Sequence, residues 1–213
     1  MKKPSPAARL IPLSLLALLT CNLAQAENKV IKEYQYDLSG IREVELRGSV
    51  GNITVVPGDK KQVSVVLEIT QKEHHWYSRD INLDEVELHD QKRGDRLILR
   101  QTDDDLHIGW TVALPVIEEA RIDLGVGEVD GEFRDTSVFA HIGVGQVQLR
   151  LPESTAGEIN LKVGVGEARL RGGESKQEKR AFVSQTVKGK GLGEKDVQVD
   201  VGVGDITVRL DKQ

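Results

Sequence analysis

Cysteine and methionine each occur once, at Cys21 and Met1, and rings are scarce: 3 Phe, 3 Tyr and 2 Trp in 213 residues. A single cysteine excludes a disulfide scaffold. So few rings mean that Val, Ile and Leu must fill any core. The longest apolar stretch, Leu10 to Leu19, is ten residues, where a membrane-spanning helix needs about 20. Positive charge is also in deficit, with 29 Lys and Arg against 34 Asp and Glu, a net of −5. That balance argues against a nucleic-acid surface and against adsorption to anionic lipid. Charge and apolar content are together too high for a disordered or collagen-like chain. The length suits one or two small domains.

What is present begins with an address. Met1-Lys2-Lys3 and Arg9 precede the apolar stretch, and Ala24-Gln25-Ala26 follows it as a small-x-small cleavage pattern. Residues 1–26 are therefore expected to be a secretory signal peptide cut between Ala26 and Glu27, delivering residues 27–213 to the periplasm. A competing reading makes Cys21 a lipid-anchored N-terminus, since Leu18-Leu19-Thr20-Cys21 has lipobox character. Thr20 stands where such a site carries Gly, Ala or Ser. After cleavage neither Cys nor Met remains, so envelope oxidants meet no thiol or thioether.

The mature chain repeats itself. Leu124-Gly125-Val126-Gly127-Glu128-Val129 recurs as Ile142-Gly143-Val144-Gly145-Gln146-Val147, as Val163-Gly164-Val165-Gly166-Glu167-Ala168 and as Val201-Gly202-Val203-Gly204-Asp205-Ile206. A fainter copy is Val50-Gly51-Asn52-Ile53-Thr54-Val55. The first glycines lie 18, 21 and 38 residues apart, the last interval reading as two turns of about 19. Apolar residues alternate on both sides of each motif, as strands require. The alternation slips by one residue at Gly127-Glu128, which predicts a corner or bulge at each copy.

The expected fold is all-β: a single-stranded, right-handed β-solenoid with coils of about 18–21 residues stacked like over like. An antiparallel sandwich with Gly-x-Gly hairpin turns is the alternative. Residues 27–120 read as irregular N-terminal coils, with strands at 30–36, 41–46, 53–56, 63–69, 86–88, 97–100 and 110–114. Residues 121–213 read as regular coils with corners at Gly125, Gly127, Gly143, Gly145, Gly164, Gly166, Gly202 and Gly204. Segments 71–83, 102–105 and 172–180 are expected to be loops, and no helix of any length is expected.

The Gly51-Asn52-Ile53-Thr54-Val55 element, the Pro-terminated strand Trp110-Thr111-Val112-Ala113-Leu114-Pro115 and the repeated Gly-x-Gly strands together resemble the bacterial "putative adhesin" domains of unknown function, related to the head GIN domains. The resemblance covers essentially the whole mature chain. It implies an all-β solenoid in the cell envelope and supplies no catalytic residues.

For chemistry, in-register coils would place Glu128, Gln146, Glu167 and Asp205 in one corner column. A carboxylate column suits Ca²⁺, but the calcium-binding nonapeptide repeats every nine residues, about half this spacing. Turn hydrogen bonding is the simpler role. Equivalent corner acids supply no distinct general acid, as glycoside hydrolysis requires, and no nucleophile–base pair or phosphate loop is visible. His74-His75-Trp76-Tyr77 is the most unusual cluster, read either as a cap over an open stack end or as a sugar-stacking loop. The glycine-rich stretch Lys188–Gly193 is read as a mobile edge or a partner contact. The reading is a non-enzymatic interaction or scaffold module without cofactor, metal, nucleic-acid partner or membrane span in the mature chain. Its flat strand faces would present residues such as Gln148, Arg150, Arg169 and Arg171 to an envelope protein or glycan. The alternative is a carbohydrate-binding or carbohydrate-active protein using the acidic corners or the His74–Tyr77 loop. Self-association through open stack edges is a further expectation.

Overall fold

The computed structural model describes residues 29–58, 61–71, 82–103, 105–181 and 183–212. The signal segment with Cys21, Ala26 and Glu27, and the cluster His74, His75, Trp76 and Tyr77, lie outside the described residues. The rest is all-β, in strands β1 (Lys29–Asp37), β2 (Glu43–Pro57), β3 (Gln62–Gln71), β4 (His89–Arg93), β5 (Arg96–Gln101), β6 (Leu106–Leu114), β7 (Glu119–Glu132), β8 (Ser137–Pro152), β9 (Ala156–Arg171), β10 (Glu174–Ala181), β11 (Ser184–Lys190) and β12 (Lys195–Asp211). Helical structure among the described residues is one 3-10 turn, Leu83–Glu85. No helix among them is long and apolar enough to cross a membrane.

The repeat makes the long strands. Each copy of the motif sits in the middle of β2, β7, β8, β9 or β12 and divides that strand into two limbs. In β7 the buried residues before the motif are Ile122 and Leu124, and after it Val129. These have opposite parity, yet all belong to one core cluster. A straight strand sends opposite parities to opposite faces. The strand therefore bends at the glycines, and both limbs turn their apolar side to the same interior. Val126 shares the parity of Leu124 but sits outside the bend, 48% exposed. The second glycine of each copy carries φ between +136° and +149°, a region closed to most side chains.

The five bent strands lie side by side, all parallel, in the order β2–β7–β8–β12–β9. Like residues stack on like: Gly51, Gly127, Gly145, Gly204 and Gly166 form one column. The order departs from a simple winding in sequence. β12, the last strand, fills the place between β8 and β9, and β9 and β8 do not pair. The 38-residue interval between the third and fourth motifs holds no extra coil. It holds the antiparallel pair β10–β11.

Antiparallel strands close both ends. Beyond β2, the strands β5 and β6 together replace one bent strand, β5 on the first limb and β6 on the second. Then β4 covers β5, while β3 and β1 cover β6. At the other end β11 and β10 cover only the first limb of β9. On the second limb a side chain takes over. Gln185, 5% exposed, accepts the Ala168 N–H at 2.9 Å, donates to the Ala168 carbonyl at 3.0 Å and donates to Glu178 at 2.8 Å. One amide thus imitates a paired strand residue. Replacing it leaves a buried N–H and C=O unmet, at roughly 1–3 kcal/mol per group. Gln185→Ala is therefore expected to lower stability by about 2–6 kcal/mol, read as a lower urea midpoint at unchanged slope.

Three local expectations are corrected. Residues 172–180 do not project as a loop: Glu174–Ala181 is strand β10, an edge with polar residues up to its last position, Ala181. Residues 86–88 are not a strand, because the 3-10 turn stops at Glu85 and pairing resumes at His89. Residues 41–46 and 53–56 belong to one strand, β2, bent at its own faint motif. The stretch from Lys188 enters strand β11 up to Lys190, and Gly191 and Gly193 then donate to the carbonyls of Gly157 and Ala156 at 2.9 and 2.8 Å.

Candidate functional site

The corner residues do share a column, running Asn52, Glu128, Gln146, Asp205, Glu167. Because β12 intervenes, Asp205 rather than Gln146 is the neighbour of Glu167. Their carboxylates serve the turn: Asp205 Oδ1 accepts the Glu167 N–H at 2.9 Å, and Glu167 is held by Arg169. Among the described residues no three His, Cys, Asp or Glu side chains are placed to hold a metal ion. Beside this column Val126, Val144, Val203 and Val165 form an exposed ridge. Four valines fall well short of the roughly 800 Å² per partner that a lasting interface buries.

The outer faces of the two limbs handle charge in opposite ways. On the first limb, arginine alternates with carboxylate. Arg96 contacts Glu43 at 2.8 Å and Glu45 at 3.4 Å, and Arg47 binds Glu45 at 2.5 Å. Arg121 binds Glu43 at 2.7 Å and Glu119 at 2.5 Å and lies 4.8 Å over the Phe139 ring. Burial works against the Arg121 charge, but Glu119 and Glu43 outweigh it and hold the guanidinium above its ordinary pKa. Arg47, Arg96 and Arg121 on this face are thus each held by carboxylates, while Arg100, opposite Arg47 in register, has no ion-pair partner among the described residues.

The second limb carries a longer row of cations. Arg150 of β8, Arg209 of β12 and Arg171 of β9 are partners in register on neighbouring strands, about 4.8 Å apart, and all three are exposed. Two positions nearer the corner, Gln148, Thr207 and Arg169 form a second row. Arg169 binds Glu167 at 2.8 Å, and Arg209 reaches Asp211 at 3.5 Å. Among the described residues neither Arg150 nor Arg171 has a carboxylate within 4.0 Å. Glu132 is opposite Arg150 in register without forming an ion pair. It belongs, with Glu128 and Asp130, to an acidic stripe on β7 that borders the arginines. Like charges directly opposite are destabilising in a sheet, and elsewhere Arg42, Arg47, Arg96 and Arg121 each have a carboxylate partner. The row is the feature that folding alone does not explain.

Other candidates are weaker. A cleft of about 470 Å³ at the strand ends is floored by Leu38, Ile41 and Ile117. Its rim cation Arg42 is already bound by Asp95 at 2.7 Å and Glu118 at 3.4 Å.

With this geometry in place, comparison with known proteins is informative for the fold. No protein-family profile matches the chain. None of the curated proteins matches it either. Among solved structures, a "putative cell adhesion protein" from Clostridium sporogenes superposes with a TM-score of 0.51 at 15% identity, covering 86% of this chain and 100% of that one. The fold is shared. A "putative adhesin" from Bacteroides fragilis covers 85% of this chain and 98% of its own at 10% identity, with a TM-score of 0.26. Only the first likeness bears on architecture.

Gln148, Arg150, Arg169 and Arg171, read from sequence as outward residues, come together here. Arg209 and Thr207 were missed. The signal was available: the fifth residue after the second glycine is Arg150, Arg171 and Arg209 in three copies, Glu132 and Val56 in the other two.

Proposed function

We propose that the chain is an exported, adhesin-like interaction module of the cell envelope, without catalytic activity, that engages its partner through the second-limb face of β8, β12 and β9. The observation that carries this is the Arg150–Arg209–Arg171 row, three exposed cations set opposite one another at a cost to the sheet. Stability tends to be given up where function needs it. The architecture fits the role: a solenoid-like stack of bent strands interrupted by β12, covered at both ends on its first limb, offers a flat surface. The signal-like residues 1–26, cut between Ala26 and Glu27 and leaving a periplasmic chain, fit delivery to the envelope. The name of the Clostridium neighbour, a putative cell adhesion protein, points the same way.

The test uses a photo-crosslinking residue at position 148 or at position 141, exposed on the first-limb face, in the full chain in intact cells. Position 148 is expected to yield a discrete adduct with an envelope component, and position 141 little or none. The reverse pattern would move the contact to the other face. Release of soluble product from envelope material by the purified protein would make it an enzyme.

A further inference from the structure

We propose that the arginine row receives an acidic polysaccharide, with sulfate, phosphate or carboxylate groups, lying across β9, β12 and β8 so that anions on successive sugars meet successive arginines. This rests on the reading above that the second-limb face is the contact surface, and it names the ligand.

Charge comes first. Arg150 and Arg171 lack carboxylate partners among the described residues, and Arg209 has one at 3.5 Å. An external anion supplies what Glu43, Glu45 and Glu119 supply on the opposite face. Arginine is suited to it, because its planar fork binds carboxylate, phosphate and sulfate in a bidentate way. Shape comes next. The face is an open strand surface, suited to a polymer rather than to a small enclosed molecule. The cations repeat at the interstrand spacing of about 4.8 Å, close to the rise of one pyranose unit in an extended glycan. Gln148 and Thr207, in the adjoining row, supply the donor and acceptor groups that sugar hydroxyls need.

The surroundings choose among polyanions. Glu128, Asp130 and Glu132 on β7 close one side of the basic patch, so a broad anionic sheet such as a membrane would meet repulsion across half the face. The two rows, Gln148–Thr207–Arg169 and Arg150–Arg209–Arg171, contain no aromatic ring, so single-stranded nucleic acid would find nothing on which to stack its bases. A narrow, flexible acidic glycan needs only a path three strands wide. Among the described residues no strand pairs with the second limb of β9 on the side away from β12, so that path runs off the sheet edge at Arg171. It stops against the acids of β7.

The experiment measures binding of dextran sulfate to the full chain at low and physiological salt, with neutral dextran as control. Wild type is expected to bind dextran sulfate and not dextran, with affinity falling as salt rises. The double variant Arg150→Gln/Arg171→Gln is expected to bind about tenfold more weakly or worse. Lys162→Gln/Lys188→Gln, the same charge change on the opposite face, is expected to stay within about twofold. Thermal unfolding serves as the folding control, and the arginine variant is expected to melt no lower than wild type, because like charges have been removed. Equal loss in both double variants would overturn the proposal, as would tighter arginine-dependent binding to anionic vesicles or single-stranded DNA. If dextran sulfate fails to bind while the position 148 crosslink persists, the face is right and the ligand class wrong. If both fail, the interaction reading itself falls.

Discussion

A chain that stops at Glu194 is expected to lose its cooperative fold, although it lacks only the last strand. β12 buries Val197, Val199, Val201, Ile206, Val208 and Leu210, each at most 5% exposed. At roughly 1.5–3 kcal/mol per aliphatic side chain, this one strand accounts for about 9–18 kcal/mol of burial. The whole stability of a domain is about 5–15 kcal/mol. Position sharpens the effect. Among the described residues β12 is the only strand that pairs with both β8 and β9, so its removal parts β9, β11 and β10 from the rest of the sheet. Far-UV circular dichroism and urea unfolding are expected to show no native transition for the truncated chain. Recoding 174–181 with Gly and Ser, which removes the edge strand β10 and the Glu178 contact to Gln185, is expected to leave the main transition in place. Ile206→Ala lies between, at about 2–5 kcal/mol. A truncated chain that unfolds at the wild-type midpoint would show that β8 and β9 pair directly.

The same strand marks the limit of what the sequence discloses. The hexapeptide announces five bent strands, their glycine corners and their register, because phase and spacing are local properties. Which copy neighbours which is a different matter. All copies present the same column pattern, so β12 fits beside β9, between β8 and β9, or beyond an imagined fifth coil equally well by composition. The choice depends on chain connection. Once β10 and β11 have turned antiparallel onto β9, the free edge left for β12 is the gap beside β8. β10 itself was hidden for another reason. Glu-Ser-Lys-Gln-Glu-Lys-Arg-Ala has no apolar alternation, since an edge strand at the end of the stack has no core face to fill. The arginine row was half visible: Arg150 and Arg171 were read as outward residues, but only strand order makes Arg209 their centre.

The glycine columns yield the second large effect, and three substitutions to alanine separate its causes. Gly94 has φ +62° and nothing within 4 Å of a built Cβ; only backbone strain opposes Ala there, at about 1 kcal/mol. At Gly143 no unusual φ is required, but the Cβ would lie 2.6 Å from the Gly125 carbonyl oxygen. Two backbones must part, at about 1–3 kcal/mol. Gly145 combines both: φ is +149°, and the Cβ would sit 1.7 Å from the Gly127 carbonyl oxygen. Neither side can yield, because Gly127 meets Gly51 and Gly204 meets Gly145 in the same way, each at 1.7 Å. A displacement at one rung is therefore passed to the next. Gly145→Ala is expected to cost at least the sum of the two separate effects, about 2–4 kcal/mol, measured as the fall in urea midpoint against Gly94→Ala and Gly143→Ala. If Gly145→Ala costs no more than Gly143→Ala, backbone strain contributes nothing at the corner, and the glycines serve only to let the strands approach.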